Sequence, residues 1–479
     1  MTPSSVAAVA ARSFWYRLGA ITCVAWIVRV FYVWNWRKDP VAVAVTGAND
    51  SAYYHHASRL LADGEGFLNP FFSASGIPYQ SADHPPLYQL FLAGFAKLGL
   101  DSSTQQLLLT TTFIGTPTVW FTGLAGRSLL SPTTGLLAAA LAAVAPNVFS
   151  WDGMLLSEPS AMLFVTITIW AAYRYWHTPT TRGAVGLGAS AAAAAMCRAE
   201  LVLLLVLLVL PLVVRHGLAD WPARLRRLAA AGLAALVIIG PWVGYNLTRF
   251  EDPVYLSVGA EITMASATGD DTYYGPGTGY WSFFAACAIR DRIRDEHPPK
   301  FVVDRGELRA VTPTDLAERS ACDNNPDYRE LPVLDQSQEA PFFGEYVGDY
   351  VGEHLDRLPV VVIARVGRVF YLWNPSHVVR ADWSLEGRER WVTHLGWWTF
   401  YPLAGLALIG SRHLRRAGVP LYPTAAVFVT VLAATVLAFG TPRYRASAET
   451  ALCLLAAVGI VALRDRFRRP EEAPAPPVA

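Results

Sequence analysis

Residues 198–215 read RAELVLLLVLLVLPLVVR, an unbroken apolar run from Leu201 to Val214 with Arg198 and Glu200 at one end and Arg215 at the other. Arg224, Arg226 and Arg227 follow shortly after. A run this apolar belongs out of water, and clustered arginines mark the cytoplasmic side of a membrane segment. The run is shorter than the roughly 20 residues that a helix needs to span a bilayer, so the whole chain has to decide its meaning. Of 479 residues 53% are hydrophobic and 16% charged, a balance that describes a polytopic membrane protein rather than a soluble one. Formal net charge is +1, so no overall basic field points to nucleic acid.

Working outward, ten segments of this kind are expected: Tyr16–Trp34, Leu107–Ala125, Thr134–Phe149, Ala161–Trp176, Ala184–Met196, Leu201–Val214, Leu228–Tyr245, Val392–Ile409, Val419–Phe439 and Ala446–Leu463. With the N-terminus inside, the short basic loops all fall on one side: Arg127, then Arg174 and Arg182, then Arg215 to Arg227, Arg412 to Arg416, and Arg464 to Arg469. Both termini are then cytoplasmic, with no signal-peptide cleavage site after the first segment. Leu87–Leu100 is too short to span and follows two prolines; counting it would invert every later loop, so it reads as an interfacial helix. Leu358–Leu372, with Arg365 and Arg368 on one helical face, is expected to lie along the membrane surface too, two extra spans being the alternative.

The expected fold is therefore all-α and polytopic. A transmembrane region occupies 1–247, a larger extracytoplasmic loop 248–391, a second transmembrane region 392–469, and a disordered Pro- and Ala-rich tail 470–479. Cys287 and Cys322 share the large loop, where a disulfide and two unrelated thiols are both open readings; the other three cysteines fall in apolar segments.

Polar residues on the outer side gather at segment ends. Asn49-Asp50 opens the segment 52–63, whose apolar residues recur at helical spacing, and either residue could simply cap that helix. Asp152 and Ser157-Glu158-Pro159 occupy a short outer turn. There a carboxylate against the bilayer tends to face a cavity or a partner, while a loop position for Asp152 and helix capping by Glu158 are the structural readings. Arg198-Ala199-Glu200 combines a cation suited to phosphate with a carboxylate that could serve as a salt-bridge partner. Arg443 and Arg445, flanking Tyr444, stand against the positive-inside bias and suggest an anion there, or snorkelling to lipid phosphates. Carboxylates and cations on one membrane face suit a lipid-phosphate substrate: one deprotonates an incoming hydroxyl, the other stabilises charge on a departing phosphate. No phosphate-binding glycine loop and no zinc spacing are present, although carboxylates beside a phosphate could recruit a divalent cation.

In their order and sidedness these motifs, with His84-Pro85-Pro86-Leu87 and Pro241-Trp242 leading to Asn246, resemble the GT-C superfamily, and within it the branch of protein O-mannosyltransferases and lipid A aminoarabinose transferases. The resemblance implies a membrane glycosyltransferase that takes a sugar from a polyprenyl-phosphate donor to a lipid, glycan or protein acceptor, with its site facing outside; the scarcity of Lys beside abundant Arg and Ala suggests a GC-rich bacterial genome, and so a bacterial plasma membrane. By the same resemblance Asp50 is the catalytic residue, a base activating the acceptor. His84, Arg198, Arg443 and Arg445 are expected around the phosphate, and Asn49, Asp152, Glu158 and Glu200 near the acceptor or a metal. His84 stands where the aminoarabinose transferases carry a lysine, and Asn49-Asp50 departs from the Asp-Glu of the mannosyltransferases. The competing class is a lipid-linked sugar transporter or a non-catalytic lipid-binding membrane protein. Against it stand the absence of any internal repeat and the placement of the polar residues at one face rather than at mid-membrane.

Overall fold

The computed structural model describes residues 3–37, 50–73, 78–215, 220–318 and 328–468. Asn49, Cys322 and the tail 470–479 lie outside the described residues.

All ten expected segments are helical, but not all of them are long and apolar enough to count as membrane spans. Among the described residues four helical stretches are long and apolar enough to cross a membrane: Arg12–Trp36, Ser103–Leu129, Trp221–Asn246 and Pro442–Phe467. A fifth arises if Pro132–Val144 and Pro146–Gly153, bent by 67° at Ala145, count as one. The expectation of about ten is corrected accordingly. Length and apolarity are met separately in the other segments: Thr181–Ala195 and Tyr422–Leu437 are too short, and the 27-residue Arg390–Arg416 helix is too polar. Helices that face protein rather than lipid are not held to lipid's demand for apolar surface; they need small residues at their contacts instead. Gly410 and Gly459 are such contacts, since a Cβ on either would sit 2.0–2.1 Å from a carbonyl of the other helix. Burial tracks this role: most of the final span is buried inside the protein, whereas most of Trp221–Asn246 is not.

Within the first part of the bundle Arg29 is fully buried and donates to Asp152 Oδ2 at 2.7 Å and to the carbonyls of Ala142 and Ala143 at 3.0 and 2.9 Å. Asp152 thus ties the first helix to the kinked pair that follows, which is where its charge is spent.

The all-α expectation also needs amendment. Three short strands, β1 (Phe301–Asp304), β2 (Glu307–Ala310) and β3 (Tyr328–Glu330), form a small antiparallel sheet in the order β2-β1-β3 in the region between the spans. Arg305 and Gly306, at φ +51° and +83°, form the two-residue hairpin turn, in which both central residues need positive φ. In the same region Cys287 is disulfide-bonded, while Cys23, Cys197 and Cys453 are free.

The Leu358–Val369 helix carries Arg365 and Arg368 on one face, but that face is turned inward. Arg365 donates to the carbonyls of Val436 and Ala267, each at 2.7 Å, and Arg368 to those of Thr278 and Pro276 at 2.7 and 2.6 Å. Two glycines make the approach feasible. A Cβ on Gly279 (φ +78°) would lie 2.7 Å from Arg365 N, and one on Gly440 would lie 2.3 Å from Arg365 O. Gly440 N–H also donates to Gly279 O at 2.8 Å, so the helix, the 276–279 turn and the start of the Pro442–Arg445 turn are locked together.

Candidate functional site

Four of the five carboxylates and cations at the centre of the site stand where a helix begins. Asp50 is the first residue of the Asp50–Asp63 helix, and Glu158 the first of Glu158–His177 with Pro159 behind it. Arg198 caps the short Ala199–Val202 turn after the Thr181–Ala195 helix has ended. Arg443 follows Pro442, and its own N–H is accepted by Thr441 Oγ1 at 3.4 Å. Prolines and caps start helices at fixed places, so each side chain is aimed by the backbone behind it. The fifth is Glu386, on the segment between the Pro375–Ser384 and Arg390–Arg416 helices.

These residues meet around one guanidinium. Arg443 donates from Nε to Glu158 Oε1 at 2.5 Å, from Nη2 to Asp50 Oδ2 at 2.5 Å and from Nη1 to Glu386 Oε2 at 3.2 Å. Arg198 donates from Nη1 to the same Glu158 oxygen at 2.5 Å and from Nε to Glu200 Oε1 at 2.6 Å, and its guanidinium lies 5.3 Å from the Tyr444 ring centre. Glu158 is 0% exposed, and among the described residues its second oxygen, Oε2, is buried without a hydrogen-bond partner. Asp50 keeps 36% of its side chain open, which leaves it accessible to a substrate.

His84 stands beside Asp50 at the edge of this cluster. Its Nε2 lies 3.8 Å from Asp50 Oδ1, too long for a direct hydrogen bond. Its ring stacks on Tyr54 at 5.0 Å and meets Tyr53 edge-on. The loop that carries it is held from three sides. Arg249 donates to the carbonyls of Phe67 and Ser81 and to the side chains of Gln80 and Asn246. Gln336 accepts from Ala82 N–H and donates to Asp83 Oδ1, each at 2.9 Å. Leu87 N–H donates to Met196 O at 3.0 Å, which couples the His84 loop to the Arg198 turn.

The electrostatics follow from this crowding. Burial by itself would raise the Asp50 carboxyl, but the Arg443 guanidinium and His84 outweigh it and hold the group well below the usual carboxylate range. Glu386 goes the other way: burial, with Asp50, Asp382 and Glu158 adding to it against Arg443, pushes its carboxyl up to about 7. Among the described residues no group of three or more His, Cys, Asp or Glu is arranged to hold a metal ion. The carboxylates converge on a guanidinium instead.

Of the residues expected from the sequence, Asp50, His84, Glu158, Arg198, Glu200 and Arg443 come together. Two do not. Asp152 is paired with Arg29, and Arg445 is buried, donating to Glu449 at 2.8 Å and to Val369 O, with its guanidinium 4.1 Å from the Phe400 ring centre. Arg445 lies two residues after Arg443 in one helical turn, so the two side chains leave in different directions. Glu386 was not expected. The signal available for it was the one used for Glu158, an acidic residue close to the outer end of an apolar segment.

The sequence profile of the dolichyl-phosphate-mannose-protein mannosyltransferase family matches residues 83–245, about a third of the chain. No curated protein matches the sequence. Among solved structures, the oligosaccharyltransferase AglB of Archaeoglobus fulgidus, in complex with an inhibitory peptide and a dolichol-phosphate, superposes with a TM-score of 0.51 at 11% identity over 95% of this chain. The same enzyme tethered to an acceptor peptide gives 0.50 at 12% identity, again over 95% of this chain. The chain spans about half the length of that enzyme. ArnT of Cupriavidus metallidurans bound to undecaprenyl phosphate gives 0.41 at 14% identity, covering 94% of this chain and 77% of ArnT. The chain thus shares its fold with the archaeal oligosaccharyltransferase AglB, and its match to the mannosyltransferase-family profile runs from the His84 loop to the end of the Trp221–Asn246 helix.

Proposed function

We propose that the protein is a glycosyltransferase that moves a sugar from a polyprenyl-phosphate donor to an acceptor on the extracytoplasmic face of a bacterial plasma membrane, with both termini cytoplasmic. The observation that carries this reading is the convergence of Asp50, Glu158 and Glu386 on Arg443, with Arg198 beside it and His84 next to Asp50. An anionic leaving group needs fixed cations, and an acceptor needs a base within reach of its proton.

In this mechanism Asp50 accepts the proton of the acceptor nucleophile. The acceptor forms its bond to the anomeric carbon of the sugar, and the bond from that carbon to the phosphate oxygen breaks, leaving polyprenyl phosphate. Arg443 and Arg198 stabilise the charge that collects on the departing phosphate. Asp50 is a weak base while Arg443 holds it; a phosphate beside Arg443 leaves that contact in place but offsets the guanidinium's charge, and so raises the basicity of Asp50 as the donor docks. Binding of the donor then prepares the acceptor's base.

The test is to incubate purified protein in bilayer nanodiscs with a panel of radiolabelled polyprenyl-phosphate sugars and cell-envelope lipid, glycan and peptide acceptors. Release of unglycosylated polyprenyl phosphate, with label appearing in one acceptor class, is the expected result. If every lipid keeps its sugar the transferase reading fails, and movement of intact lipid across proteoliposomes would establish a transporter instead.

A further inference from the structure

We infer that Glu386 is the carboxylate that surrenders Arg443 to the phosphate of the incoming donor, and that it takes up a proton from water as it does so. This rests on the donor reading above and adds to it a means of charge balance.

All three nitrogens of Arg443 are engaged, each by a different carboxylate. A phosphate that binds guanidinium does so by hydrogen bonds from those same groups, so one carboxylate has to yield. Glu158 is fully buried and its Oε1 is shared with Arg198; withdrawing it would strand a charge away from water. Asp50 is held on both sides, by Arg443 at one oxygen and by His84 near the other. Glu386 makes one contact with Arg443, the longest of the three at 3.2 Å, and sits on a connecting segment rather than at the start of a long helix. It is the cheapest of the three to release.

Charge points the same way. Asp50, Glu158, Glu200 and Glu386 surround two guanidiniums, so the site is already acidic before a phosphodiester adds a further negative charge. Glu386 faces Arg443 and Tyr444 on the Pro442–Arg445 turn, Asp50 and Glu158 on their helices, Asp382 on the preceding helix, and Tyr280. Its carboxyl, raised to about 7 by burial and its acidic neighbours, can change charge within the physiological range. Once Arg443 Nη1 is given to the phosphate, Glu386 loses its hydrogen bond to the guanidinium and gains a negative charge beside it, both of which disfavour its ionised form. Above about pH 7 each bound donor must then bring a proton with it, and affinity falls about tenfold per pH unit; below that pH the carboxyl is already neutral and affinity is level.

Undecaprenyl methyl phosphate is a suitable probe, because its single phosphodiester charge does not vary between about pH 6 and pH 9. Full-length protein in nanodiscs is titrated with it calorimetrically across that range, in EDTA and with added Mn²⁺, using two buffers of different ionisation enthalpy to count protons. The expected result is uptake of about one proton per ligand at pH 8 and a tenfold loss of affinity per unit above pH 7, both abolished in Glu386→Gln. If that variant does not fold, the wild-type proton count decides alone. Level affinity with no proton uptake, an unchanged slope in Glu386→Gln, or binding that requires Mn²⁺ without proton uptake overturns the role of Glu386 and leaves the donor reading standing. Absence of saturable binding at every pH, with or without Mn²⁺, overturns the donor reading and this inference with it.

Discussion

Arg443→Lys is the most exacting test of the site, because it keeps the charge and removes the geometry. A guanidinium presents separate donors along a rigid plane, whereas an ammonium is one point on a flexible stem. In the native site Nε, Nη2 and Nη1 reach Glu158, Asp50 and Glu386 in three directions. A lysine nitrogen can satisfy one of these well. At about 1.5–3 kcal/mol for each charge-assisted hydrogen bond, losing two amounts to about 3–6 kcal/mol. The Asp50 share is discounted because 36% of that side chain is open to water; about 2–4 kcal/mol remains. Applied to a transition state in which the same group holds a departing phosphate, the upper part of that range corresponds to a loss of order 10²- to 10³-fold in turnover, similar to removing one oxyanion donor. The assay is single-turnover release of polyprenyl phosphate at saturating donor, alongside the thermal melting midpoint in nanodiscs. Wild-type turnover and an unchanged melt in Arg443→Lys would refute the reasoning, since a point charge would then be all that the site requires. Arg445→Met makes the contrast: it strands Glu449 and lowers the melt, while the fraction that folds should turn over normally.

Asp50→Asn should reduce turnover by about 10²- to 10⁴-fold, the usual loss for a general base, while binding of the phosphodiester probe persists; a variant with native turnover would move the base elsewhere. For stability against pH, Glu386 and Glu339 both have carboxyls raised to about 7, so their contribution is fully present below the unfolded value near 4.5 and is lost as pH rises through about 7. The protein should therefore melt higher at pH 5 than at pH 8, and the double variant Glu386→Gln, Glu339→Gln should narrow that difference; an undiminished slope would show that other groups cause it. Asp50 has the opposite sign, its contribution being lost only in strong acid, so it does not disturb this window. Arg29→Met should destabilise by about 3–5 kcal/mol through the stranded Asp152, and Asp152→Leu in the same chain should recover most of it. A milder single variant than double variant, read from the melting midpoints, would contradict that pairing.

Much of this was legible in residue order. Apolar runs such as Leu201–Val214 predict helices because backbone polar groups away from water must bond within the segment, and every such run is helical. Acidic and basic residues at the ends of those runs marked Asp50, Glu158, Arg198 and Arg443 before any contact was known, because charge beside a bilayer is costly and needs a partner. What the order of residues could not show was who that partner is. Asp152 and Glu158 lie six apart on one short turn, yet the first is spent on Arg29 and the second joins the site. Arg443 and Arg445 share one helical turn and point to different carboxylates. The span count failed for a related reason: how apolar a helix must be depends on whether it faces lipid or protein, and that is a property of the bundle. Sequence alone determined which segments are helical and which of their ends carry charge, both being local consequences of hydrogen bonding and solvation. Only the tertiary structure decided which charges meet, Glu386 among them, because ion pairs between residues hundreds of positions apart depend on how the helices pack.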